Sequence, residues 1–165
     1  MIVRRETPED RKAIAAVHTA SFPSTDEAQL VEALRKAGRL CISLVAERQG
    51  TIVGHVAFSP VQLTGSDGGL GLAPVAVLPA QRRRGVAGRL IREGLALCGA
   101  EDRGFVVVLG DPDYYGRFGF VAATRWKLSD EYGGGDAFQA LELRPGALAG
   151  HGGLVRYAPE FADLS

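Results

Sequence analysis

The chain has 165 residues, 46% of them hydrophobic and 23% charged, with Lys plus Arg and Asp plus Glu equal at 19 each. That length suits one domain, 1–165, with a core of its own. A formal charge of zero excludes the broad electrostatic grip on nucleic acid that net positive charge supplies. No apolar run is long enough to span a bilayer, and MIVRRETPED carries no apolar signal segment. Cys41 and Cys98 match no metal spacing, so the chain reads as cytoplasmic, with two buried thiols and no metal.

Ile2 to Arg5 predicts a short strand. Thr7-Pro8-Glu9-Asp10 then reads as a helix start, with Thr7 as cap, Pro8 in the first turn and acids at the positive end of the dipole. Ile14, Val17 and Phe22 form the apolar face of that helix. Ser24 to Glu27 has capping-box spacing for a second helix, whose core residues are Leu30, Val31 and Leu34 and whose stop is Gly38.

From Cys41 the period changes to two. CISLVAER and TIVGHVAFSPV predict strands joined by a hairpin turn at Gln49-Gly50, and TGSDGG predicts a loop. GLGLAPVAVL is a further strand in which Pro74 cannot donate to a ladder, so pairing should bulge or fail there. Val86 to Ala100 follows as a helix with Leu90, Ile91, Leu95 and Cys98 on one side. FVVVL, Phe105 to Leu109, predicts a strand covered on both faces. GDPDYYGRFGF turns the chain, and Ala137–Leu143 and Leu154–Tyr157 are late strands. The order predicts an α/β fold, a mixed sheet with helices on its faces, in which the strand–helix–strand unit from Leu72 to Leu109 is parallel.

PAQRRRGVAGRL lies where the last of those helices begins. Its first turn has amides with no intrahelical partner and the positive end of the dipole. Gly85, Ala87 and Gly88 let an anion approach the backbone, and Arg82, Arg83 and Arg84 add charge around it. The physical reading is a phosphate or pyrophosphate site; the alternative is a solvated charge run at a helix start. A Walker-type site is excluded, because G-x-x-x-x-G-K-[S/T] does not occur. GVAG has the G-x-x-G spacing of a KH loop, but the zero net charge and the strand order argue against that reading.

Strand, proline, basic glycine turn and helix together, VAVLPAQRRRGVAGRLI, resemble the acetyl-CoA signature of the GNAT-type N-acetyltransferases, [Q/R]-x-x-G-x-[G/A], with Arg82 to Ala87 in the six places. Val75, Val77 and Pro79 fit the preceding V-x-V-x-P. LGDPDYYGRFGF resembles the closing Y-x-x-x-G-F element, with Tyr115, Gly119 and Phe120. The fuller form and the tail are similar to a YhbS-like branch of predicted acetyltransferases. The resemblance is strongest over 72–120 and implies an acetyl-CoA-binding core at about 69–120. It further implies a single-domain, mostly antiparallel sheet with helices on both faces and a splayed central strand pair.

The resemblance implies direct transfer of an acetyl group from acetyl-CoA to a primary amine, of a small molecule or a peptide, in a ternary complex. Amides of Arg84, Gly85, Val86, Ala87 and Gly88 would take the pyrophosphate. The edge of Val75, Ala76 and Val77 would take the pantetheine arm, with the Val77 N–H as oxyanion donor. Tyr115 would protonate the departing thiolate, with Tyr114 as its rival, since a phenol keeps its proton at neutral pH. Glu27 stands where the family's N-terminal helices meet acceptors and is the candidate base. His55, Asp111 or a water relay are alternatives, and Asp111 also reads as a cap before Pro112. His18 and His151 read as surface residues, and Trp126 and Tyr132 flank a GGGD loop. A sensor that holds acyl-CoA without transfer would look the same in sequence. Neither membrane nor nucleic acid is an expected partner, and a monomer or a homodimer is expected.

Overall fold

A computed structural model describes residues 1–66 and 68–163; Asp67, in the loop expected from TGSDGG, lies outside them. The elements are β1 (Ile2–Arg5), α1 (Arg11–Ser21), α2 (Asp26–Lys36), β2 (Ile42–Arg48), β3 (Thr51–Pro60), β4 (Leu70–Val77), α3 (Val86–Ala100), β5 (Phe105–Leu109), α4 (Pro112–Tyr115), β6 (Val121–Ala122), β7 (Leu128–Asp130), β8 (Phe138–Glu142) and β9 (Gly153–Val155). Seven strands hydrogen-bond in the order β1-β2-β3-β4-β5-β8-β6, and β7 and β9 form a separate pair. The main sheet is mixed and mostly antiparallel, with β4 and β5 parallel. Two compact units are distinguished, one holding Met1–Phe58, Ala73–Gly94 and the segment from Pro159, the other Ser59–Leu72 and Leu95–Ala158.

In the first unit, Gln49 and Gly50 have φ of 52° and 79°, the two positive values a twisted two-residue hairpin turn needs. They join β2 to β3 with Arg48 opposite Thr51. The period of two then divides β3 between two layers. Gly54 faces α3, where an added Cβ would lie 2.9 Å from Val86, and Phe58 fills the space of a Cβ on Gly94 of α3. His55 points the other way, to α1, where its ring meets His18. Helices therefore cover both faces of this part of the sheet. On the α1/α2 side the core gathers Ile14, Val17, Val31, Val45, Ile52 and Ala76, with Phe22 and Leu78 packed against it; each large side chain buried there contributes roughly 1.5–3 kcal/mol.

The helix starts differ in part from expectation. A 3-10 turn, Pro8–Asp10, precedes α1, and Asp10 accepts from the Thr7 N–H at 2.7 Å. The expected Ser24–Glu27 capping box does not form. Ser24 Oγ accepts from the Asp26 N–H at 3.2 Å instead, the helix starts at Asp26, and Glu27 is released from capping. Gly38 ends α2 with φ 74°. Cys98 is buried as expected, whereas Cys41 is half-buried.

In the second unit, Phe105 to Val108 are buried and pair with β8 from Phe105↔Glu142 to Leu109↔Phe138. The start of β4 pairs with β5 at Leu70↔Val106 and Gly71↔Val107, and among the described residues pairing is confined to those two. The Ala73–Pro74 peptide that follows is cis. Two strands were not foreseen, β6 and β7, of two and three residues. The strand expected at Leu154–Tyr157 is shifted to Gly153–Val155 and joins β7 in parallel rather than the main sheet.

Candidate active site

The turn before α3 has the backbone geometry of an anion-binding nest. Arg83 and Gly85 have φ of 64° and 77°, and alternation of handedness in successive residues points their amides to one side. The first bond of the helix runs from the Arg89 N–H to Gly85 O at 3.1 Å. The amides of Val86, Ala87 and Gly88 thus precede the ladder and have no intrahelical acceptor. Arg82, Arg83, Arg84 and Gly85 are exposed. Arg82 Nη2 lies 3.5 Å from Ser21 O at the end of α1. No Cβ or side chain obstructs Gly85, since nothing lies within 4 Å of where its Cβ would be.

Strand β4 leads into that turn. The Leu78 N–H donates to Val53 O of β3 at 2.9 Å. Polar groups of successive strand residues point to opposite edges, so the N–H and C=O of Val77 face away from β3. The C=O is met there by Ser21 Oγ at 3.0 Å, a hydroxyl also 2.7 Å from Val17 O. Val75 is half-buried, and Ala76 and Val77 are buried. Sequence-predicted residues 75–77 and 82–88 are thus consecutive parts of one strand–turn–helix, and the C-terminal turn of α1 adjoins it at Val77.

Glu27, on the first turn of α2, has Oε1 buried without a hydrogen-bond partner among the described residues. The correction lies at His18, expected at the surface and found fully buried with His55. His18 Nε2 is 2.8 Å from His55 Nδ1, and His55 Nε2 is 2.8 Å from Ser43 Oγ. Ser43 Oγ in turn bonds Glu6, whose carboxylate is forked onto Arg35 at 2.9 and 3.0 Å. Burial lowers the His18 imidazole to about 4. It lowers His55 well below its ordinary value, aided by the charges of His18 and Arg35. Both rings are therefore neutral near pH 7. The buried stripe 14, 17, 18 of α1 carried the signal for His18, since i+3 and i+4 from Ile14 share its face. His151 is half-buried rather than at the surface.

Tyr115 closes α4 in the second unit and is buried, 9% exposed. Its ring meets Tyr114 and Phe120 edge-on, with centroids 5.1 and 5.8 Å apart. Burial, with a smaller contribution from Tyr114, pushes its hydroxyl up to about 12. It therefore holds its proton throughout the neutral range. Asp111 caps α4, accepting from the Asp113 N–H at 2.9 Å, as its place before Pro112 suggested. Gln139 escaped notice in the sequence: it is buried and its amide donates to Gly110 O at 3.1 Å, bracing the backbone beside the Tyr115 ring. Tyr132 is half-exposed, and Trp126 lies under Arg125 at 5.7 Å.

Among the described residues no group of three or more His, Cys, Asp or Glu could hold a metal ion, and no helix is long and apolar enough to cross a membrane.

The site can be set beside known proteins. The family model for the acetyltransferase (GNAT) domain matches residues 2–123. The uncharacterized N-acetyltransferase YhbS of Escherichia coli (strain K12) is 42% identical over 164 residues, spanning 98% of each chain. The crystal structure of Escherichia coli YhbS in complex with CoA superposes with a TM-score of 0.95 at 41% identity, covering 99% of this chain and 93% of that one. A GNAT family acetyltransferase from Brucella melitensis in complex with acetyl-CoA gives a TM-score of 0.82 at 40% identity, covering 97% of each. The positive-φ turn, the strand edge and the buried phenol thus occur in a chain that belongs to the GNAT family of acetyltransferases.

Proposed function

We propose that this acetyltransferase moves an acetyl group from acetyl-CoA to the primary amine of a small molecule or peptide by direct attack in a ternary complex. One observation carries the reading: a positive-φ turn at Arg83 and Gly85 opens onto the amides of α3 with three exposed arginines around it. CoA and acetyl-CoA in the two relatives at about two-fifths identity support it. In this reading the amides from Arg84 to Gly88 receive the pyrophosphate. The side chains of Arg82, Arg83 and Arg84 serve the remaining phosphate, and the edge of Val75, Ala76 and Val77 pairs with the pantetheine amides.

Three chemical demands follow from attack of an amine on a thioester. The tetrahedral oxyanion needs a preorganised donor, which the Val77 N–H supplies from the edge opposite β3. The thiolate needs a proton, which Tyr115 supplies, since its hydroxyl retains one at neutral pH. The amine must lose a proton. Glu27, on the first turn of α2, is the carboxylate assigned to the acceptor side and the candidate base for that proton.

The test is calorimetry with acetyl-CoA followed by thiol release on a panel of primary amines. Binding with amine-dependent release supports transfer. Binding with no release from any amine reduces the protein to a carrier or sensor, and no binding removes the reading.

A further inference from the structure

Pairing of the pantetheine arm with β4 meets an obstacle at Val77. An arm amide needs a carbonyl on the outer edge to accept its N–H, and there the Val77 carbonyl already has a donor. Ser21 Oγ lies 3.0 Å from it. Val77 is buried, and among the described residues β5 pairs with β4 at Leu70 and Gly71 only. No paired strand therefore serves this carbonyl, and a buried acceptor without a donor is destabilising. The hydroxyl stands where a neighbouring strand would otherwise donate.

The same hydroxyl has a second acceptor. Val17 O, four residues back on α1, is 2.7 Å from Oγ. A serine hydroxyl carries one proton, and a carbonyl oxygen can only accept, so the two oxygens share it. The shorter contact is the local one, the back-bond of a serine in a helix. Ser21 can therefore surrender Val77 O and still keep a hydrogen bond. The approach to it is open. Ser21 and Leu78 are half-exposed, and Arg82 to Gly85 are exposed. Arg82 Nη2 reaches Ser21 O at 3.5 Å in an exposed contact, so the turn before α3 adjoins the residue that carries the hydroxyl. An arm that runs from a diphosphate at that turn to the edge of β4 passes Ser21 on its way.

We infer that Ser21 is a placeholder on the cofactor edge: its hydroxyl caps Val77 O and yields that carbonyl to an amide N–H of the pantetheine arm, turning its own O–H wholly to Val17 O. The inference rests on the part of the acetyl-transfer reading that lays the arm on this edge. No covalent bond changes. One donor replaces another at a single carbonyl, so the arm's new hydrogen bond is partly offset by the one it displaces. A ligand with no donor at that point leaves Ser21 in place and gains nothing from Val77 O. The hydroxyl thus keeps a buried carbonyl satisfied at some cost in affinity, and it favours ligands that carry an amide there.

The experiment uses the full chain with acetyl-CoA, with CoA, and with 3′-phospho-ADP, which has the diphosphate but no arm. Ser21→Ala takes the donor from Val77 O and removes the arm's competitor. Its melting temperature falls by about 2–4 °C, while its Kd for acetyl-CoA and for CoA tightens about tenfold. Because the arm supplies the missing donor, saturating acetyl-CoA closes the gap in melting temperature. The Kd for 3′-phospho-ADP keeps its wild-type value. Ser21→Thr, which retains a hydroxyl, returns both quantities to wild type. A purely structural role would lower the melting temperature without tightening the cofactor. Equal or weaker acetyl-CoA binding in Ser21→Ala, or equal tightening of 3′-phospho-ADP, overturns this inference and leaves the transfer reading standing. Wild-type protein that does not bind acetyl-CoA overturns the transfer reading and this one with it.

Discussion

The Tyr115 ring occupies the place where a side chain on Gly110 would begin: a Cβ there would touch Cε2 and stand 2.9 Å from Cδ2. Gly110 is held in turn by its N–H to Ala137 O at 3.0 Å and by the Gln139 amide on its carbonyl. The end of β5 thus sets where the phenol lies. Gly110→Ala should displace the ring, cost about 1–3 kcal/mol through overpacking, and slow turnover while leaving acetyl-CoA affinity unchanged. Equal losses in both would show that the phenol is not separable from the cofactor grip.

Removing the hydroxyl alone is the sharper test. Tyr115→Phe keeps the edge-on contacts with Tyr114 and Phe120 and should reduce kcat about 10²-fold with little change in binding. Because burial raises this hydroxyl to about 12, it loses its proton only above the ordinary phenol range. The wild-type rate should therefore show no fall assigned to Tyr115 between pH 7 and 10. A basic limb in that interval that disappears in Tyr115→Phe would contradict the environment described.

At the helix mouth, two substitutions of Gly85 separate backbone from charge. Nothing crowds a Cβ there, but φ is +77°, so Gly85→Ala should cost about 1 kcal/mol of stability. Gly85→Glu adds a carboxylate beside the assigned diphosphate position. It should weaken acetyl-CoA by about 10²-fold, the loss of roughly one to two charge-assisted bonds. Calorimetry that finds equal affinity for both variants and wild type would remove the site from this turn.

Acid should unfold the protein in two steps. His18 is lowered from 6.5 to about 4 by burial, and His55 falls in the same direction beside His18 and Arg35. Between those values the unfolded chain binds protons the native one refuses, so stability rises with pH through the window and is lost as pH falls. His18 alone accounts for on the order of 3 kcal/mol. Asp10 is lowered from 3.8 to about 2, chiefly by its bonds from Arg4, so its stabilisation goes only below about 4. Denaturant melts from pH 7 to pH 3 should show a first decline above pH 4 that is shallower in His55→Gln. An unchanged slope in that variant would mean that the ring is not held neutral by its surroundings.

Where local signals were strong the sequence was legible. Ile2–Arg5, Val86–Ala100 and Phe105–Leu109 are elements with the bounds their periods and turn residues suggested, and Gln49-Gly50 is the hairpin turn. The strands β6 and β7 escaped because two or three residues carry no period. The exchange of β9 into a small parallel sheet depends on a partner 25 residues upstream, which no local window reports. Of the candidate site, the positive-φ turn before α3 was visible because glycine and arginine leave compositional marks. The His18–His55 contact was not, because its members are 37 residues apart and each alone resembles an ordinary polar residue. Glu27 was singled out through the resemblance alone, because its spacing from Ser24 equally suited a capping box, which does not form.

Two glycines facing in opposite directions govern how closely α3 lies on the sheet. Gly54 of β3 admits Val86 and Leu90 from the helix, while Gly94 of the helix admits Phe58 from the strand. Each hollow receives the other element's bulk, so the axis is located along its length as well as in depth. A methyl at either position would push the helix outward or slide it, and the amides at its mouth would travel with it. With the diphosphate assigned to those amides, substitutions at these two buried glycines should weaken the thioester carrier, and loss-of-binding variants should turn up in the hydrophobic interior as well as among the arginines.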